Sequence, residues 1–256
     1  MDYHRKQKKT IKPLLVIVIL GILAIIIFSY FFETAVYSKC TNIMVTGNSI
    51  DNVDIVFVAN NYHSLLQFKT DVNTYIDRAG THGGLLSVEP FKSNQLKFNF
   101  YSIDEFYDIN CNTGSDYLLC DNGYANKIAS SCPHDYVIVL SQQDPFSQEA
   151  YLRSSAYINV GSINTADNRL VLAHEFGHLF GSLADEYITG EEEVDAPNCD
   201  VVTCPKWYGK FDGVGCFKGC TNLKMYRSTE NSIMRDYSIS NEYGPVNEDA
   251  LLRRML

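Results

Sequence analysis

Two histidines one helical turn apart, with a glutamate beside the first, are the residues whose types and spacing could do chemistry: His174-Glu175-Phe176-Gly177-His178. On a helix, positions i and i+4 lie about 40° apart on one face. Their imidazoles can share one zinc ion at about 2.0–2.1 Å each. Glu175 is then placed to accept a proton from a water that the metal activates. Leu172, Phe176 and Leu179 fall on the opposite face and can anchor the helix in a core. Taken singly, each histidine would be an ordinary residue; the helical pattern around them makes them a pair. His63, His82 and His134 stand alone and read as solvent-exposed or core residues.

Two imidazoles leave a zinc site short of a third protein ligand. Ala184, ten residues after His174, cannot supply it; Asp185 and Glu186 follow at once. On an unbroken helix Asp185 would lie about 16 Å from His174, far beyond the reach of one ion. The helix must therefore end between His178 and Asp185. Gly181 is the available breaker, suited to a left-handed position just past a helix end. A short carboxylate suits a tight return, so Asp185 is the expected ligand and Glu186 the alternative. The alternative for Asp185 is to orient a histidine ring from outside the metal shell, with Glu186 or a distant residue completing the site.

Alternating elements must carry this constellation. Val53–Ala59 has the pattern of a buried strand, and Ser64–Gln67 is a capping box opening a helix that Gly80 closes. Leu96–Ile103 alternates like a half-exposed strand, while Tyr136–Leu140 and Tyr157–Val160 read as short strands. Asn164–Asp167 offers an N-cap before the run Leu170–Phe180. Residues 188–231 look irregular, and Val246–Leu256 reads as a short amphipathic helix. Strands alternating with helices point to an α/β layer with a mostly parallel twisted sheet.

These residues resemble the metzincin zinc proteases, whose long motif includes a glycine three residues after the second histidine, here Gly181. Those enzymes carry a Met-turn beneath the metal, and Ser232-Ile233-Met234 looks like it. The chain is more closely similar to the M64 family, named for a bacterial immunoglobulin A peptidase. The shared features are HEFGH followed by LADEY, then GCFKGC, MYRSTENSIMRD and PVNEDALLRRML, with VDIVFVANNY and EPFKSNQLKFNFYSI upstream. The resemblance covers roughly residues 52–256. It implies a zinc-dependent endopeptidase with a zincin/metzincin-like fold. By motif position His174, His178 and Asp185 are the ligands, Glu175 the catalytic base and Met234 the Met-turn residue. The family often has Gly-Asp-Gly-Tyr where this chain has Ala59-Asn60-Asn61-Tyr62. Likeness to zincins also implies that the Tyr157–Val160 strand pairs with the substrate backbone as an edge strand. Tyr187 and Tyr237 are candidates to donate a hydrogen bond to the oxyanion.

The rest of the chain bounds where such an enzyme would work. Pro13–Phe32 carries no charge over 20 residues, about a bilayer core in length as a helix, and Arg5, Lys6, Lys8, Lys9 and Lys12 precede it. This predicts a cytoplasmic basic tail (1–12), a transmembrane signal anchor (13–32), a connector (33–51) and an extracytoplasmic peptidase domain (52–256). Secretion after signal cleavage is the alternative. From residue 33 onward 16 Lys and Arg stand against 29 Asp and Glu, a balance of −13, which excludes a nucleic-acid partner. All eight cysteines lie beyond the apolar run, as disulfides in an oxidising compartment would require. Cys199, Cys204, Cys216 and Cys220 form a cluster that could instead hold a structural zinc. The acidic run Glu191–Asp195 lacks EF-hand spacing and reads as a solvated loop rather than a Ca2+ site. The expected function is zinc-dependent hydrolysis of peptide bonds in a protein or peptide substrate. The alternatives are a non-catalytic, zinc-stabilised surface binding module and a zinc hydrolase acting on cell-wall amide bonds. An intact Glu175 counts against the first, since a purely structural site has no use for a base there.

Overall fold

The computed structural model describes residues 21–23, 39–111, 116–190 and 194–255. The chain divides into two units, Met1–Tyr37 and Ser38–Leu256. Of the first, only Gly21–Leu23 are described, and they are helical. The anchor expected over 13–32 thus lies outside the described residues apart from that turn. Among the described residues no helix is long and apolar enough to cross a membrane.

The second unit is built on a six-stranded sheet. Its elements in chain order are β1 (Cys40–Met44), β2 (Val53–Asn60), α1 (Leu65–Ile76), β3 (Phe98–Phe106), α2 (Asn122–Ala129), β4 (Tyr136–Ser141), β5 (Ser155–Tyr157), β6 (Val160–Asn164), α3 (Val171–Gly181), β7 (Phe217–Cys220), β8 (Asn222–Arg227) and α4 (Pro245–Arg254). The sheet order is β1-β3-β2-β4-β6-β5, and β7 and β8 form a separate hairpin. Strands β3, β2, β4 and β6 run parallel, and β1 and β5 are antiparallel edges. The mixed α/β architecture with a mostly parallel sheet is the one expected. β1 falls within 33–51, the stretch read as connector, and pairs with β3 from Cys40 to Met44.

Strand periodicity sorts the core into two layers. Ile55, Phe57, Phe98, Phe100, Ile138, Leu140 and Ile163 face a layer that includes residues of α1, α3 and α4. Val56, Val58, Tyr101, Ile103, Val137, Val139 and Val160 face α2. Because both faces are covered, the central strands read as apolar runs. This corrects the half-exposed reading of 96–103. Phe98–Ile103 are all buried, Leu96 lies outside the strand, and the polar members find internal partners. Asn99, for instance, donates to Asp54 at 2.8 Å.

Three boundaries also differ from expectation. Ser64 does cap α1, accepting from the Gln67 N–H at 3.3 Å, but the helix stops at Ile76, not at Gly80. Asp77 takes the left-handed position (φ 49°), and its carboxylate collects the N–H groups of Thr81, His82, Gly83 and Gly84 at 2.7–3.3 Å. That clamp settles the loop locally and makes a glycine stop unnecessary. Tyr157–Val160 is not one strand but the turn of the β5–β6 hairpin, with Ile158 left-handed at φ 57°. Asn164 ends β6 rather than capping α3, whose N-cap, Leu170, has no side-chain bond.

All eight cysteines are paired: Cys40–Cys132, Cys111–Cys120, Cys199–Cys220 and Cys204–Cys216. The disulfide reading of the 199–220 cluster therefore holds over the structural zinc. Part of the acidic run (191–193) lies outside the described residues, and Asp195 binds the Lys206 ammonium at 3.0 Å.

Candidate metal centre

Helix α3 is fixed to the sheet by aromatic packing. Phe176 and Phe180 stack at 5.3 Å with planes 5° apart, and Phe91, Phe98 and Tyr136 meet them at 5.3–6.4 Å. Such pairs add about 0.5–1.5 kcal/mol each beyond burial. The Tyr243 hydroxyl donates to the Ala173 carbonyl, and Arg254 Nε donates to that of Phe180 at 3.0 Å, so α4 and its lead-in hold α3 near both of its ends.

The helix ends at Gly181, as the ligand geometry requires, but Ser182, not Gly181, takes the left-handed conformation (φ 52°). Gly181 is needed for space: a Cβ there would stand 2.7 Å from Leu251 Cδ2 on α4. Ser182 and Leu183 return N–H groups to His178 and Gly177 at 3.1 and 3.2 Å, and the chain doubles back.

That return puts Asp185 Oδ1 3.1 Å from His174 Nε2 and 3.3 Å from His178 Nε2. The two Nε2 atoms are 3.2 Å apart. The other ring nitrogens are committed: His174 Nδ1 donates to the Ile233 carbonyl at 2.9 Å and His178 Nδ1 to that of Leu183 at 2.7 Å. A carbonyl can only accept, so in the neutral rings both Nε2 atoms present lone pairs. Two lone pairs and a buried carboxylate oxygen that has no hydrogen-bond partner thus face one point. Donor atoms about 2.0–2.1 Å from a tetrahedral zinc sit roughly 3.4 Å from one another, close to the spacing found. Burial opposes charge on His178, yet the Asp185 carboxylate outweighs it and pushes the ring up to about 9. Burial would raise the Asp185 carboxyl, but His174 and His178 beside it hold it well below its usual range. His174, His178 and Asp185 are thus a group that could hold a metal ion.

Glu186, the alternative ligand, points away. It is fully buried and accepts from Ser232 Oγ (2.6 Å), Asn247 Nδ2 (3.0 Å) and Asn198 Nδ2 (3.2 Å), while its N–H binds the Met234 carbonyl at 2.9 Å. Ser232-Ile233-Met234 is thereby tied to the ligand loop through Glu186 and to the helix through His174. Met234, buried, puts its sulfur 2.6 Å from where a Cβ on Gly177 would be, beneath the turn that joins the two histidines.

Glu175 is buried, and that burial raises its carboxyl above the usual range. It lines both of two adjoining cavities, of about 520 and 470 Å³, together with His174, Arg153, Ser154 and Tyr187. Tyr187 lies near-parallel to the His174 ring at 6.5 Å, and Tyr237 meets that ring at 5.3 Å. Burial, and then Asp185, push the Tyr187 hydroxyl up; burial, and then its bond to Asp167 at 2.7 Å, push up that of Tyr237. Both remain phenols at neutral pH. His63 and His82 are exposed and His134 partly so, all apart from the centre.

Sequence reasoning missed Arg153, which contacts Tyr187, and the carbonyls of Leu183 and Ile233. Backbone acceptors leave no sequence signal, and no local spacing links position 153 to the helix.

The family model described as IgA Peptidase M64 matches residues 105–203, from the end of β3 through α3 and the ligand loop. No curated protein matches the chain. The cluster of two histidines and one aspartate falls inside the matched segment, in line with the resemblance read from the motifs: the chain carries an M64-family segment and is a metallopeptidase.

Proposed function

We propose that the chain is a zinc-dependent endopeptidase with a metzincin-type site, in which His174, His178 and Asp185 hold the zinc, Met234 forms the Met-turn beneath it and Glu175 is the general base. One observation carries the reading: with both Nδ1 atoms committed to carbonyls, two imidazole lone pairs and a carboxylate oxygen converge at 3.1–3.3 Å. Zinc bound there would supply Lewis-acid activation of water and of the scissile carbonyl. The chain's own residues do the rest. β5 is the last strand of the sheet, and Ser154, Ser155 and Ala156 line the cleft beside Glu175, where an extended peptide can add to the edge. Glu175 takes the proton of the attacking water and passes it to the leaving amine; a carboxyl raised by burial suits that exchange. Tyr187 and Tyr237 donate to the developing oxyanion, Tyr237 after releasing Asp167.

Glu175→Gln is expected to retain zinc by elemental analysis and to lose casein cleavage by about 10²–10⁴-fold; full activity would dismiss the mechanism. Parallel digests of casein and peptidoglycan, with and without chelator, separate the peptidase from a cell-wall amide hydrolase and from a non-catalytic binding module. We further place the domain outside the cytoplasm, held by the apolar run 13–32, a reading supported by four disulfides. N-terminal sequencing of the native protein should return a start upstream of residue 13; a start past residue 32 would mean secretion.

A further inference from the structure

Arg153 sits just before β5 and faces the centre. Its backbone is pinned on both sides, donating to Asp116 at 2.9 Å and accepting from Leu118 at 2.8 Å, next to the Cys111–Cys120 disulfide. Its guanidinium lies 5.2 Å from the Tyr117 ring centroid and 5.1 Å from that of Tyr187, and it donates to both hydroxyls. Tyr187 in turn lies against the ligand His174.

Phenol hydroxyls and rings hold this cation. Lys69, Lys206 and Arg253 each meet a carboxylate within 3.0 Å. Arg153 has no ion-pair partner among the described residues; neutral phenols hold it instead. Two of its five N–H donors are spoken for, and the planar fork keeps the rest for a ligand. The side chain is exposed and lines both cavities that Glu175 lines. A positioned guanidinium matches a carboxylate in two parallel bonds. The balance of −13 from residue 33 onward repels acidic chains at long range, but salt screens that beyond about 8 Å, whereas a direct bond is little screened.

We propose that Arg153 is a specificity-determining residue that receives a carboxylate of the substrate beside the scissile bond, either an Asp or Glu side chain or the chain's own C-terminus. The assignment rests on the peptidase reading above.

The test uses the full-length chain in detergent and a set of quenched-fluorescence peptides built on a casein cleavage site. Each flanking position is varied as Glu, Gln or Lys, and each peptide is made as the C-terminal acid and amide. Wild type should prefer Glu over Gln at one position at least tenfold in kcat/KM, chiefly through KM. Arg153→Gln should erase that preference, Arg153→Glu should turn it toward Lys, and Arg153→Lys should retain part of it. Loss of cleavage on amidation, with no effect of internal Glu, would assign the carboxylate to the C-terminus. Anisotropy of the same peptides on Glu175→Gln protein reads the preference without turnover. If wild type cut none of the peptides, the peptidase reading would fall while the binding ranking still judged Arg153. No discrimination in either assay, or an equal fall in kcat for every peptide in Arg153→Gln with an unchanged melting temperature, would overturn the proposal; the latter would mark an oxyanion role instead.

Discussion

Two adjacent acids, Asp185 and Glu186, look equivalent in sequence and have opposite surroundings. Asp185 faces two imidazole nitrogens; Glu186 is enclosed by Ser232, Asn198 and Asn247. Asp185→Asn should therefore weaken zinc binding by at least about tenfold, measured by competition with a chromophoric chelator. Glu186→Gln should do the reverse: retain zinc and lower stability by roughly 1–3 kcal/mol in denaturant titration, as one buried partner changes from acceptor to donor. Most of the centre was legible at this scale, because His174, Glu175 and His178 are related by helical spacing, a purely local property. The choice of acid was open because it depends on how sharply the chain turns after Gly181, and that is set by Leu251 on a distant helix.

At the scale of elements, the ligand loop is framed from outside by the segment that sequence alone read as irregular. Asn198 bonds both the N–H and the carbonyl of Ala184 at 2.8 Å, and the Thr221 N–H reaches the Asp185 and Tyr187 carbonyls at 3.0 and 2.9 Å. Cys199–Cys220 locks these two clamps together. Replacing both cysteines by Ala should cost about 3 kcal/mol on the chain-entropy account of a 21-residue loop, read by chemical denaturation, and should weaken zinc binding as well. Periodicity gave the identities of β2, α1, β3, β4, α3 and α4, since burial on one face imprints it, but β1, α2, β7 and β8 went unread. Failures came where another force intervened: a carboxylate clamp ended α1, a two-residue turn split 157–160, and coverage on both faces hid the alternation of β3.

Across the whole molecule, stability in acid should hinge on carboxylates that the fold holds ionised. Burial would raise the Asp77 carboxyl, but four backbone N–H groups keep it below its usual value. Burial likewise opposes charge on Asp104, while Lys69 at 2.6 Å and the hydroxyls of Thr41 and Ser102 favour it. A depressed folded pKa means stability present in full above the unfolded value, about 3.9, and lost as pH falls through the folded one. Asp77→Asn, which tolerates the left-handed backbone, should be about 1–3 kcal/mol less stable than wild type at pH 7. That gap should close toward pH 2 in thermal melts; a constant gap would remove the charge from the explanation. Such long-range clamps were not legible beforehand, because an aspartate past a helix end looks like any loop residue.

The antiparallel edge beside the centre is only three residues long, Ser155 to Tyr157. An open border of that size offers a visiting chain two or three ladder bonds, enough to align it but too few to retain it or to seed further growth of the sheet. Brevity here guards against self-association and lets severed fragments leave.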